Sequence, residues 1–177
     1  SPTELRHRTS RGAPGQGGGR SPGPEGTLTL RLPVRTPFAA SALLDFLAYH
    51  LVPGVETAGP GWYARTLDLP HGPGVLHLAL ADPPDPWEHD PHPVGGTTQV
   101  LATFTLTDLR DTTAAVERTR RLLDADCDPL AVAEHLGPDP VLGPLVARHP
   151  GLRVPGQVAG EETAIRTVIG QQVSVTG

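Results

Sequence analysis

The residues most able to do chemistry stand at the end of the chain. Gly170, Gln171, Gln172 and Ser174 form a small polar cluster where an ordinary core helix would carry another aliphatic turn. Read as residues alone, this is a helix C-terminus, with Gly170 weakening the last turn and the glutamines solvated. Other groups are excluded by their surroundings. His89 and His92 flank Asp90 at a spacing that invites a metal. Ligating histidines sit on rigid elements with supporting partners, whereas Pro91 and Pro93 break any helix here, so the segment reads as a solvated insertion. Asp124, Asp126 and Asp128 imitate the start of a calcium loop, but Pro129 stands where glycine is needed and His135 where a bidentate glutamate is needed. The glycines between Arg11 and Pro24 follow no strand and precede no Gly-Lys-Ser/Thr, which excludes a phosphate loop. His77 alternates with leucines and reads as an outward-facing strand residue. Cys127 reads as a small buried hydrophobe. Neither a metal site nor a cofactor is predicted in this chain.

The composition narrows the class. With 177 residues, one full domain and part of another is the natural count. The formal net charge of −5 does not advertise nucleic acid, although net charge says little about local fields. All 14 basic residues are arginine. A single cysteine excludes an internal disulfide framework and fits a reducing, cytoplasmic compartment. No run is apolar enough for a membrane span or the core of a signal peptide.

The elements that must position these residues follow in order. Residues 1–26 read as a flexible linker. Thr27 to Leu32 alternates as a half-buried strand. A helix from Pro37 carries Phe38, Ala42, Leu43, Phe46, Leu47 and Leu51 on one stripe, which makes core packing the plain reading of Phe46. Strands follow at 61–67, 75–80 and 98–106, separated by turn chemistry and by the insertion at 81–96. Helices occupy the remainder. Asp111 is expected to cap the first, with Arg118, Arg120 and Arg121 exposed. Asp128 with Pro129 starts the next, through Leu136. A short helix runs from Val141 to Arg148. After the turn 150–156, a last helix has Glu161 and Glu162 in its first turn and Glu162 four residues before Arg166. Ile165, Val168, Ile169 and Val173 form its apolar face. This order gives an α+β domain over 27–110 and the start of an α-helical one over 111–177.

The wording of the last stretch adds to this. Pro150-Gly-Leu-Arg-Val-Pro-Gly156, then Ala164-Ile-Arg-Thr-Val-Ile-Gly-Gln-Gln-Val-Ser-Val175, resembles the entry to the helix-hairpin-helix domain of the DNA-3-methyladenine glycosylase II (AlkA) family. Phe46-Leu47-Ala48, Val55-Glu56-Thr57, Tyr63-Ala64-Arg65 and Leu123 to Pro129 resemble the family at the right intervals, so the likeness covers about residues 27–177. It implies an antiparallel-sheet domain likened to the TATA-binding protein, followed by a truncated helical glycosylase domain. It also implies Phe46 as a base-pocket aromatic, packed toward the helical part with a ring face or edge accessible. Gly170, Gln171, Gln172 and Ser174 become DNA-contacting residues. Gln172 would be the wedge, exposed beyond the helix, with Gln171 turned toward the protein.

The implied function is base-excision repair of double-stranded DNA containing alkylated bases, by a monomer that flips out and hydrolytically removes bases such as 3-methyladenine. The family's catalytic aspartate lies after the hairpin, so it is expected beyond Gly177 and the chain alone is expected to be inactive. Pro2-Thr3-Glu4-Leu5-Arg6 also resembles the close of an AraC-type helix-turn-helix domain, as in members with an Ada-like regulator fused ahead. A regulator fragment acting through DNA binding is therefore an alternative. A non-catalytic interaction domain is another, against which the polar tail argues.

Overall fold

The computed structural model describes residues 26–80 and 95–171. The linker, most of the insertion with His89 and His92, and the wedge candidates Gln172 and Ser174 lie outside the described residues. Five strands, β1 (Thr27–Arg35), β2 (Glu56–Gly59), β3 (Trp62–Leu69), β4 (Gly72–Ala79) and β5 (Thr97–Leu106), make one antiparallel sheet in the order β1-β5-β4-β3-β2. β3 and β4 form a hairpin, and the first strand pairs with the last, Leu30 opposite Ala102. Period-two alternation sends Leu32, Val34, Tyr63, Leu67, Leu76, Leu78, Val100 and Phe104 to one face. The other face is polar. Thr29 and Thr103 share a 2.9 Å hydroxyl contact there, and Trp62 stacks on the outward-facing His77 at 5.3 Å.

The helices are α1 (Ala40–Tyr49), α2 (Thr112–Leu122), α3 (Pro129–Leu136), α4 (Gly143–Arg148) and α5 (Gly160–Gly170). Leu43 and Leu47 of α1, Ala115 and Leu122 of α2, Leu123 and Val158 join the sheet's apolar face in one core. Asp128 caps α3 through the backbone N–H groups of Leu130 and Ala131, with Pro129 inside the first turn as its fixed φ favours. Cys127 is half-buried.

Several expectations change. β2 is an additional strand: Glu-Thr-Ala-Gly has little strand propensity and is fixed by pairing with β3. α1 starts at Ala40, leaving Phe38 outside it beneath the Arg153 guanidinium, 5.5 Å from the ring centroid. α4 starts at Gly143, because the Asp139 carboxylate first closes a turn on the N–H groups of Val141 and Leu142. Asp111 makes no side-chain cap on α2. It is buried and accepts instead from the backbone N–H of His71 at 2.9 Å, with the His71 ring at 2.7 Å. Arg118 and Arg120 are half-buried, their guanidiniums donating to the carbonyls of Asp68 and Pro33.

The turn at 150–156 inverts its hydropathy. Leu152 and Val154 stand in solvent, while Arg153 is buried and donates to the carbonyls of Cys127, Arg35 and Pro37. A guanidinium can go inside when most of its donors find such acceptors, here the two Nη groups, while the buried Nε has no hydrogen-bond partner among the described residues. Gly151 makes the approach feasible. Its φ is +75°, and a Cβ there would lie 2.4 Å from the Pro37 carbonyl. The turn is thus clamped against the entry to α1.

Candidate base pocket and nucleic-acid interface

Phe46 leaves the core stripe. On α1 the buried positions are Leu43 and Leu47, and Phe46 beside Leu47 is 47% exposed. One turn further, the His50 ring tilts against it with centroids 4.3 Å apart. His50 Nδ1 lies 2.7 Å from the Phe46 carbonyl. A carbonyl can only accept, so Nδ1 carries the hydrogen. Tyr49 adds an edge contact to the same imidazole at 4.9 Å.

The Phe46 and His50 rings border a cleft of about 360 Å³ that runs between α1, the β2–β3 edge, the segment 155–159 and α5. Its polar wall is a closed ring of ions. Arg65 donates to Glu56 at 3.1 Å and to Glu162 at 2.6 Å. Arg166 donates to Glu56 at 2.7 Å and approaches Glu162 at 3.4 Å. Each carboxylate therefore faces two guanidiniums, and each guanidinium two carboxylates. Glu56 also accepts from the Val52 N–H and the Tyr63 hydroxyl, both at 2.9 Å.

The electrostatics follow from those partners. Burial alone would raise the Glu56 carboxyl. Hydrogen bonds from Arg166, Val52 and Tyr63, together with the Arg166 charge, outweigh it and hold the group below its ordinary value. Burial, then the Glu56 charge, push the Tyr63 phenol up. Glu56 is thus an anion committed to its neighbours, suited neither to donate a proton nor to accept one. Glu162 is committed to the same two arginines. The cleft offers aromatic faces and paired charges, without a free carboxylate among the ring residues. Among the described residues no group of three His, Cys, Asp or Glu is arranged to hold a metal.

The polar cluster is described only in part. Gly170 ends α5 with open space around its Cα, and Gln171 follows with its backbone N–H bonded to the Thr167 carbonyl at 3.2 Å. Both are exposed. Among the described residues, Gln171 stands exposed at the end of α5. Phe46 and the inner face of α5 border one cleft, while Gly170 and Gln171 leave the far end of the same helix.

Sequence reasoning reached one side of the ion ring, the four-residue pair Glu162–Arg166, and missed Glu56 and Arg65 as its partners. A signal was present. Tyr63, Arg65, Leu67 and Leu69 share the buried parity of β3. A cation in that phase requires buried acceptors, of which a carboxylate is the first to look for.

An antiparallel five-stranded sheet, with helices on one face and an accessible aromatic beside a charged cleft, defines an α+β domain of mixed-layer architecture. Within that class the chain belongs to the AlkA N-terminal domain family, whose model matches residues 29–159. It is 44% identical over 149 residues to a probable bifunctional transcriptional activator/DNA repair enzyme AlkA from Mycobacterium tuberculosis, the same in strains CDC 1551 / Oshkosh and ATCC 25618 / H37Rv. That alignment covers 84% of this chain and 27% of the relative. It is 33% identical over 141 residues to DNA-3-methyladenine glycosylase 2 of Escherichia coli strain K12, covering 78% of this chain and 43% of that protein. The chain thus spans less than half the length of these relatives. No helix among the described residues is long and apolar enough to cross a membrane.

Proposed function

We propose that this chain is the N-terminal part of a monomeric DNA glycosylase that removes alkylated bases, such as 3-methyladenine, from duplex DNA. The observation that carries the reading is Phe46, held half in solvent at a cleft shared with α5. A glycosylase takes the damaged base out of the stack and holds it while the bond to the sugar breaks. Alkylation at a ring nitrogen makes the base cationic and a better leaving group. A cation over an aromatic face gains roughly 0.5–2 kcal/mol, more as water is excluded. Phe46 would form one wall of that pocket. Gly170, Gln171, Gln172 and Ser174 would meet DNA beyond α5, with Gln172 filling the gap left by the flipped nucleotide.

Cleavage itself is assigned to an aspartate downstream of this chain, by resemblance to the family. The ring carboxylates support this division, since arginines occupy both. A fused regulator is a second reading, favoured by the bifunctional name of the Mycobacterium tuberculosis relative. The two are compatible. The test is release of free 3-methyladenine from methylated duplex DNA. The full-length protein is expected to release it, and the 177-residue chain is expected to stay at the buffer level. Release by the chain alone would misplace the active site, and none by the full-length protein would end the glycosylase reading.

A further inference from the structure

We infer that Glu56, Arg65, Glu162 and Arg166 form a positioning clamp that fixes the rotation and distance of α5 against the Phe46 side of the cleft. The inference rests on the glycosylase reading for its consequence in excision, and on geometry alone for the clamp itself.

The first argument is what α5 lacks. None of its residues is buried, and Ile165, Val168 and Ile169 are 61%, 67% and 57% exposed. Among the described residues, these three side chains do not hold α5 to the sheet domain. The polar side does. Glu162 and Arg166 lie one helical turn apart, and both are bound by partners on the sheet. A single ion pair would let the helix swivel about one point. Two points on one face, each reaching into the same pair of strand residues, fix rotation as well as separation. The bidentate guanidinium fork makes such a ring directional where an ammonium would act as a point charge.

The second argument is depth. The side chains of Glu56 and Arg65 are 5% and 6% exposed, against 30% and 36% for Glu162 and Arg166. The strand half is a socket held by β2 and β3, with Tyr63 and Val52 orienting Glu56. The helix half is the plug. Buried ion pairs are weak as a source of stability, because desolvation offsets much of their attraction, and their best-attested use is to specify one arrangement.

The third argument is reach. Arg166 also approaches the carbonyl of His50 at 3.5 Å, and the His50 ring is the one tilted against Phe46. In the other direction Gln171 lies five residues on, about 7.5 Å along the helix at 1.5 Å per residue. One side chain therefore links the pocket wall to the helix that delivers the DNA-contacting residues. The four clamp residues are positioning residues and touch no reacting atom.

The test uses the full-length protein with its native cysteines replaced and spin labels at Tyr49, 66% exposed, and at Glu161, exposed in the polar first turn of α5. The wild-type clamp should give one narrow interlabel distance. Glu56→Gln keeps shape and removes the charge, and should broaden the distribution; Arg166→Gln should do the same, and Arg166→Lys should recover only part of the order. In unlabelled protein, Glu56→Gln should lower the maximal single-turnover excision rate by about tenfold, since misplacement near 1 Å is enough for losses of that size or more. Affinity for undamaged duplex should change by less than about twofold, a split that a loss of folded protein would not produce. A narrow distribution in Glu56→Gln and Arg166→Gln overturns the clamp. A broad one with unchanged maximal excision overturns its role in placing the DNA site. Should Glu56→Gln fail to fold, Arg166→Gln on the exposed half carries both measurements. If the wild-type protein releases no base, the glycosylase reading fails and the distance distributions alone decide the clamp.

Discussion

Replacing Phe46 with alanine separates a pocket role from a packing role, because the structure sets the two costs apart. A fully buried aromatic removes roughly 150–250 Å² from water. At 47% exposure Phe46 covers about 100 Å², or about 2.5 kcal/mol at ~25 cal/mol/Å². Alanine keeps part of that, and a compact unfolded state trims it further, leaving about 1–1.5 kcal/mol of lost stability. No enclosed cavity forms, since the ring already borders an open cleft. Leu43, on the same helix and 2% exposed, is the control. Its truncation should cost about 2–5 kcal/mol through both transfer and cavity terms. Function should rank the other way. Loss of a cation–aromatic contact of about 0.5–2 kcal/mol lowers excision of a cationic base by roughly 2- to 30-fold. Leu43→Ala should leave the rate per folded molecule unchanged. The assay is single-turnover release of 3-methyladenine by the full-length protein, normalised to folded fraction from denaturant curves. Equal normalised rates for Phe46→Ala and wild type would refute the pocket assignment and return Phe46 to packing.

Two further outcomes follow from other parts of the chain. The Asp111 carboxylate, by its hydrogen bond and then its charge, raises His71 above its ordinary 6.5. The protonated His71 therefore favours the folded state, a contribution fully present below about pH 6.5 and lost as pH rises through the higher folded value. The melting-temperature gap between wild type and His71→Gln should be widest in mild acid and shrink above neutrality; a gap independent of pH would contradict the pairing. For Gln172, unstacking costs a few kcal/mol per step, and a wedge offsets it only where a nucleotide has left. Gln172→Ala in the full-length protein should weaken binding to an abasic-site analogue more than to intact duplex at one fixed salt concentration, and an equal loss would reduce it to a general DNA contact.

The sheet was legible because four of its strands alternate cleanly and are bounded by Gly and Pro. β2 was not, since only its partner β3 makes it a strand. The start of α3 was legible because Asp128-Pro129 is local chemistry, complete within a few residues. Asp111 carried the same kind of signal and resolved otherwise. Its partner His71 lies 40 positions back, and no local rule couples a turn between strands to the start of a helix. Phe46 could be picked out only by resemblance, since periodicity alone placed it on the core stripe. The clamp shows the limit most clearly: Glu162 and Arg166 are neighbours by helical spacing, whereas Glu56 and Arg65 reach them across about a hundred residues of chain.

The all-arginine composition, uninformative as a sequence statistic, has a structural counterpart. Arg65, Arg153 and Arg166 point inward and each joins elements far apart in the chain, through carboxylates in two cases and carbonyls in the third. A planar fork with five donors can do this, and lysine cannot. Arg35 and Arg110 are engaged at the surface by Asp128 and Asp108. Arginines spent on such ties are less available to phosphates, in a chain whose net charge is already −5. On the glycosylase reading, these tied arginines are poor candidates for phosphate contacts, which dominate affinity and require unpaired cations. What the ion ring supplies is placement: it ties α5 to β2 and β3 beside Phe46 of α1, on one cleft.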